Sequence, residues 1–251
     1  MSHAHLGTRR IKSGIDLFFS FNSLEFFNSY SYVEKIGGIY SKQVTTLPNG
    51  TLDLDELESI LSLDVTNRWR TKTQLICVEN THMSLGGRVL KPDFLDRLHT
   101  LCKKYNLKLH LDGSRVMNAA VALNVDVKEL TRQFDSVNFC FSKGVGAPFG
   151  SILVGSNDFI QRALRIRQSL GGGMRQSGIM AAACLVGLDT MHENMRRDNE
   201  NAKRLAAGLA QINGQLFHVD ADKTESNIVV INIVDKSNEL QVQHLVDRLK
   251  Q

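Results

Sequence analysis

No run of this sequence approaches the roughly 18 consecutive apolar residues from which a membrane helix is built, so a spanning helix is excluded. Charge of one sign is lacking too. The 30 lysines and arginines are scattered among 26 aspartates and glutamates, the net charge is only +4, and no basic stripe forms. A nucleic-acid partner is therefore not indicated, and the pair Arg196-Arg197 reads as a solvated helix face. The four cysteines, Cys77, Cys102, Cys140 and Cys184, show no CxxC and no Cys/His ligand spacing, which argues against a metal centre. All stand in apolar surroundings and read as buried free thiols of a reducing compartment, hence an expected cytoplasmic location. Internal repeats and low-complexity blocks are absent. What is present is 251 residues with 42% hydrophobic content, enough to bury the core of one large or two modest soluble domains.

Arg9, Arg10 and Lys12 ahead of Leu17-Phe18-Phe19 resemble the opening of a targeting sequence, but the apolar part is short and broken by Asp16 and Ser20. Up to residue 30 the chain sustains neither a period of 2 nor one of 3.6, and no element is assigned there. Regularity begins at Ile39. A strand over 40–47 leads through a Pro48-Asn49-Gly50 turn into a helix capped by Asp53 or Asp55 and carrying Leu54, Leu57, Ile60 and Leu61. A buried strand over 74–78, a polar loop over 79–88 and a helix over 92–105 follow, Pro92 suiting the first helical turn. Strands are then expected over 107–111, 136–141 and 151–155, with helices over 116–123 and 127–134. Residues 157–214 read as helical, broken at Gly171-Gly172-Gly173, with a last strand over 227–233 and a terminal helix over 239–250. Apolar strands separated by helices predict an α/β fold: a mostly parallel central sheet with helices on both faces.

In such a sheet, functional residues collect where strands end at the carboxyl edge. Lys143 follows the apolar Phe139-Cys140-Phe141-Ser142 and precedes Gly144, Gly146 and Gly150, which let backbone pass close to a ligand. That placement suits a covalent amine; a solvated loop lysine is the alternative. The GxGxxG and GxxxxGK nucleotide patterns are missing. Asp112, in His110-Leu111-Asp112-Gly113-Ser114-Arg115, could keep a pyridinium nitrogen protonated or simply cap the next helix. Arg115 could grip a carboxylate in bidentate fashion or lie exposed on a first turn. His82, in a polar loop after a buried strand, is a candidate acid, base or ring partner, or a histidine bonded to nearby backbone. Gly171-Gly172-Gly173-Met174-Arg175-Gln176 could hold a phosphate at a helix start or form a flexible turn. Together these are the parts of a pyridoxal phosphate site.

On these residues the chain resembles the low-specificity L-threonine aldolases, pyridoxal phosphate enzymes of the aspartate-aminotransferase-like fold. The matching segments are Glu79-Asn80-Thr81-His82, the Asp112 segment with Asn118, Cys140-Phe141-Ser142-Lys143-Gly144-Val145-Gly146-Ala147-Pro148, and the Arg175 segment, in order over residues 34–233. The resemblance implies that Lys143 and His82 are catalytic and that Lys143, Asp112, Arg115, Ser142 and Arg175 bind pyridoxal 5'-phosphate, with no metal. It further implies cleavage of a small amino-acid substrate, L-threonine or L-allo-threonine, into glycine and acetaldehyde by a homo-oligomer, a dimer or tetramer, with Arg175 reaching a neighbour's site. A β-eliminating lyase or aminotransferase on the same fold would share Lys143 and Asp112 but lack the Gly-Gly-Gly-Met-Arg segment.

The chain also departs from the family's pattern. Residues 1–31 match neither the substrate-contacting arm nor the phosphate-binding Ser-Gly-Thr loop, and no histidine stands at 28–30 or within 67–74 where the family has functional ones. Gln168 and Met83 replace an expected basic residue and asparagine. The expected organisation is an unassigned segment 1–30, a transferase-like large domain 31–190, and a helix with the start of a small domain over 191–251, shortened at both ends relative to the family. A weakly active or inactive relative that keeps the core fold and oligomer surface is the alternative expectation.

Overall fold

A computed structural model describes residues 15–20, 37–67, 69–212, 217–234 and 242–249 of the protein. The apolar strand runs become a six-stranded sheet in the order β2-β1-β3-β4-β5-β6. Its members are β1 (Ile15–Ser20), β2 (Tyr40–Val44), β3 (Lys72–Glu79), β4 (Lys108–Asp112), β5 (Ser136–Cys140) and β6 (Ser151–Gly155). All neighbours pair in parallel except β5 with β6, so the sheet is mostly parallel, as the sequence predicts. Strand β1 is a finding: it lies in the stretch where periodicity supports no assignment, yet it pairs with β2 on one side and β3 on the other.

The flanking helices form where caps and apolar spacing coincide. Helix α1 (Leu54–Thr66) begins at Asp53, whose side chain accepts from the Asp55 and Glu56 amides, and buries Leu57 and Leu61. Helix α2 (Pro92–Lys104) opens on Pro92 and buries Phe94, Leu95, Leu98, Leu101 and Cys102. Each such leucine contributes about 1.5 to 3 kcal/mol relative to exposure. Buried Asp64 ties β2, α1 and β3 together, accepting from Thr73 Oγ1 at 2.7 Å, Arg70 Nε at 3.0 Å and Lys42 Nζ at 3.2 Å.

After β4 come α3 (Val116–Leu123), which stops at Asn124 in the left-handed conformation, and the short α4 (Val127–Thr131). Helices α5 (Asn157–Ser169) and α6 (Gly178–Gln211) flank the glycine triplet, and α6 carries the chain unbroken across residue 190. Past it, the strand expected over 227–233 is reduced to β8 (Asn232–Ile233), paired with β7 (Phe217–His218). The preceding residues pack on the Gly86-Gly87 turn instead: a Cβ on Gly86 would lie 2.7 Å from Val230 Cγ2, and Ser226 Oγ donates to the Gly87 carbonyl at 2.8 Å. Helix α7 (Val242–Leu249) is the last described element.

Candidate active site

Parallel pairing brings the ends of β3 and β4 level with the middle of β5. Asp112, the last residue of β4, stands in register with Glu79 of β3 and Asn138 of β5. The backbone then closes in: Gly113 N donates to Asn138 O at 2.9 Å, and a Cβ on Gly113 would lie 2.7 Å from that oxygen, so only glycine fits without displacement. Asn80 N donates to Asp112 O at 2.9 Å, joining the β3 end to the β4 end.

Asp112 is buried, and its hydrogen bonds converge on one oxygen. Oδ1 accepts from Ser114 N at 2.9 Å, Ser114 Oγ at 2.5 Å and Asn138 Nδ2 at 3.2 Å. Oδ2 receives no donor among the described residues, so it keeps its full capacity for a ligand N–H.

Lys143 sits five residues along the chain from Asn138, in a turn closed by backbone bonds. Gly146 N donates to Lys143 O at 2.8 Å, Ala147 N to Phe141 O at 3.0 Å, and Phe141 N to Gly150 O at 3.0 Å. Gly146 holds φ +81°, a conformation that suits glycine. The turn rests on α3 and α6. A Cβ on Gly144 would lie 2.6 Å from Asn118 Oδ1 and 3.0 Å from Met195 Cε, and one on Gly187 would meet Val145 O at 2.9 Å. Lys143 itself is half-buried and makes no side-chain hydrogen bond or ion pair among the described residues.

Arg115 precedes α3 and is half-buried, with Nη1 sealed from solvent and lacking a partner. A sealed guanidinium nitrogen without an acceptor is costly unless an anion completes it. Ser142 and Arg175 are exposed, and no hydrogen bond or ion pair among the described residues ties Arg175 to Asp112, Arg115 or Lys143. The loop over 79–88 is not solvated as its polar composition suggests: Glu79, Asn80, Thr81 and His82 are all buried. Asn80 accepts from Leu90 N and donates to Leu90 O, at 3.2 and 3.3 Å, and so closes this loop. Burial pushes His82 down to about 4, outweighing the opposing effect of its own backbone hydrogen bond. The imidazole is neutral at pH 7 rather than poised to titrate there.

The cysteines also differ from expectation, since Cys77 and Cys102 are buried but Cys140 and Cys184 are half-buried. Among the described residues no group of His, Cys, Asp and Glu could hold a metal ion, and no helix is long and apolar enough to cross a membrane. The phosphate loop and ring-stacking histidine expected near the chain start concern residues outside those described, apart from β1. Sequence reasoning overlooked Ser114, Asn138 and Asn199. Chemically, the segments that follow β4 and β5 carry an amine, a carboxylate oxygen and a guanidinium, each with open capacity among the described residues, a donor set that fits a ring bearing a basic nitrogen, a carbonyl and an anionic group.

Residues 11–234 match the family model of the beta-eliminating lyases. The chain is 40% identical over 205 residues to low-specificity L-threonine aldolase 1 of Arabidopsis thaliana, covering 82% of this chain and 57% of that one. It is 38% identical over 187 residues to the low specificity L-threonine aldolase of Escherichia coli K12, covering 74% and 55%. The chain thus spans little more than half the length of these relatives. Among solved structures, a candidate L-allo-threonine aldolase of Listeria monocytogenes superposes with a TM-score of 0.74 at 21% identity, covering 86% of this chain and 57% of that one. The Leishmania major threonine aldolase gives 0.66 at 17%, covering 81% and 59%. At these identities the structures establish the fold.

Proposed function

Because the chain belongs to the beta-eliminating lyase family, we propose that it forms the core of a pyridoxal 5'-phosphate-dependent aldehyde-lyase that cleaves L-threonine or L-allo-threonine to glycine and acetaldehyde. The observation that carries the reading is that Asp112 Oδ2, Arg115 Nη1 and the Lys143 amine, on the segments that end or follow β4 and β5, all lack partners among the described residues. The threonine aldolases of Arabidopsis and Escherichia coli among its relatives support the substrate class.

The bound cofactor supplies a conjugated ring that accepts the electron pair released when the substrate's Cα–Cβ bond breaks. The protein's part is to hold and orient. Lys143 would hold the cofactor at its aldehyde carbon through the side-chain amine, and the tight packing at Gly144 sets the backbone that carries it. Asp112 would accept a hydrogen bond at Oδ2 from a protonated ring nitrogen, and its negative charge would favour that protonated form. Arg115 pairs with a carboxylate or phosphate through Nη1. His82, kept neutral at pH 7 by burial, would serve as a neutral imidazole rather than as a proton acceptor. Ser142 and Arg175, both exposed, complete the cofactor contacts.

We place residues 31–190 in the large domain and 191–251 in a helix leading into a small domain. Ile179, Leu185 and Val186 on α6, with Ile152 and Val154 on β6, expose apolar side chains, and a second copy of the chain in a homodimer or homotetramer is their proposed cover. Free cysteines support a reducing, cytoplasmic setting.

The test is direct. Purified protein given pyridoxal phosphate and L-threonine, then L-allo-threonine, should release glycine and acetaldehyde in equal amounts. Cofactor-dependent release of pyruvate from serine without acetaldehyde from threonine would replace the aldolase reading with β-elimination.

A further inference from the structure

Ser114 binds Asp112 but has been given no function of its own, and it also touches Cys140 and Asn138. It is buried, and both its amide and its hydroxyl are spent on Asp112 Oδ1, at 2.9 and 2.5 Å. A hydroxyl has one proton. With that proton committed to the carboxylate, the 3.2 Å contact between Ser114 Oγ and Cys140 Sγ is one in which the thiol donates and the serine oxygen accepts. Asn138 Nδ2 reaches the same pair, 3.2 Å from Asp112 Oδ1 and 3.5 Å from Ser114 Oγ.

A carboxylate on its terminal torsion is a broad, two-fold rotor. Three donors on one oxygen fix the plane and leave only Oδ2 for a ligand. We infer that Ser114, itself held by Cys140, is the positioning residue that aims Asp112 Oδ2 at the ring nitrogen of the cofactor. The inference rests on the cofactor reading above. It assigns Ser114 no contact with substrate and no proton transfer; its effect passes through Asp112 alone.

The experiment is a pyridoxal phosphate titration of wild type, Ser114→Ala, Ser114→Thr, Asp112→Asn and the Asp112→Asn/Ser114→Ala double variant, following the visible band and its circular dichroism. Loss of a charge-assisted bond predicts binding about tenfold weaker in Ser114→Ala, with altered dichroism from a reoriented ring. Ser114→Thr, which keeps the hydroxyl, should recover both. In the Asp112→Asn background, Ser114→Ala should change nothing further, whereas a merely structural role would weaken both backgrounds alike and overturn the inference. Ser114→Gly provides a second hydroxyl-free protein should the alanine variant not fold. Wild-type affinity and dichroism in the hydroxyl-free variants would overturn the inference and leave the cofactor reading standing. A wild-type protein without any band would overturn both.

Discussion

Asn118 and Asn199 lock α3 to α6 through a reciprocal pair: Asn118 Nδ2 donates to Asn199 Oδ1 at 3.3 Å, and Asn199 Nδ2 donates to Asn118 O at 3.2 Å. Both are buried, and the Lys143 turn sits on the result, Gly144 lying against Asn118 Oδ1. Helix α3 starts beside Arg115 and α6 packs under Val145, so one amide pair sets the height of the Lys143 turn over two helices.

Asn199→Ala leaves the Asn118 amide without its acceptor and should cost about 1 to 3 kcal/mol, read as a lower denaturation midpoint in urea. Gly144→Ala drives a methyl into a pinned side chain and should cost about 1 to 3 kcal/mol by overpacking. That second penalty should largely vanish in an Asn118→Ala background, where the obstructing oxygen is gone. Equal penalties in both backgrounds would show that the turn does not rest on Asn118.

His82 makes stability depend on pH in a defined window. The unfolded chain takes up its proton near the ordinary value of 6.5, while the folded chain resists until about 4. Between these values the unfolded state binds more protons, so stability is intact above 6.5 and falls as pH drops toward 4. The loss from this group is about 3 kcal/mol across the window. Urea midpoints at pH 7 and pH 4.5 should converge in His82→Gln relative to wild type; an unchanged difference would mean that another group dominates.

Thiol chemistry separates the cysteines. Burial, with the Asp135 charge adding to it, pushes the Cys102 thiol up to about 12, and Cys77 is likewise buried. A disulfide reagent should titrate Cys140 and Cys184 in the native protein and all four only after denaturation. Native reaction at Cys102 would contradict its place on the buried face of α2.

What the sequence conveyed, and what it hid, follows from the reach of each signal. Val116–Leu123 and Ser151–Gly155 form where pattern and turn residues coincide, and Asp53 caps α1 as its type suggests. Ile15–Ser20 was hidden because a central strand paired on both sides need not alternate, and Asp16 interrupts its apolar run. The Ile228-Val229-Val230-Ile231 run carries strong strand propensity, but its packing on Gly86 and Gly87 prevails over ladder formation. In the candidate site, Lys143, Asp112 and Arg115 are candidates that chemical type and position alone suggest. Ser114 and Asn138 are not, because their convergence on Asp112 Oδ1 depends on the β4–β5 register, in which Asp112 faces Asn138. The burial of His82 was equally invisible, since its neighbours in sequence are polar.

Lys143 as the covalent amine is the central claim, and absorbance during a pyridoxal phosphate titration tests it most directly. The wild-type protein should develop a saturable visible band distinct from the free aldehyde, lost in Lys143→Ala while that variant melts at the wild-type temperature. The same band in Lys143→Ala, or none in wild type at saturating cofactor, would contradict the account.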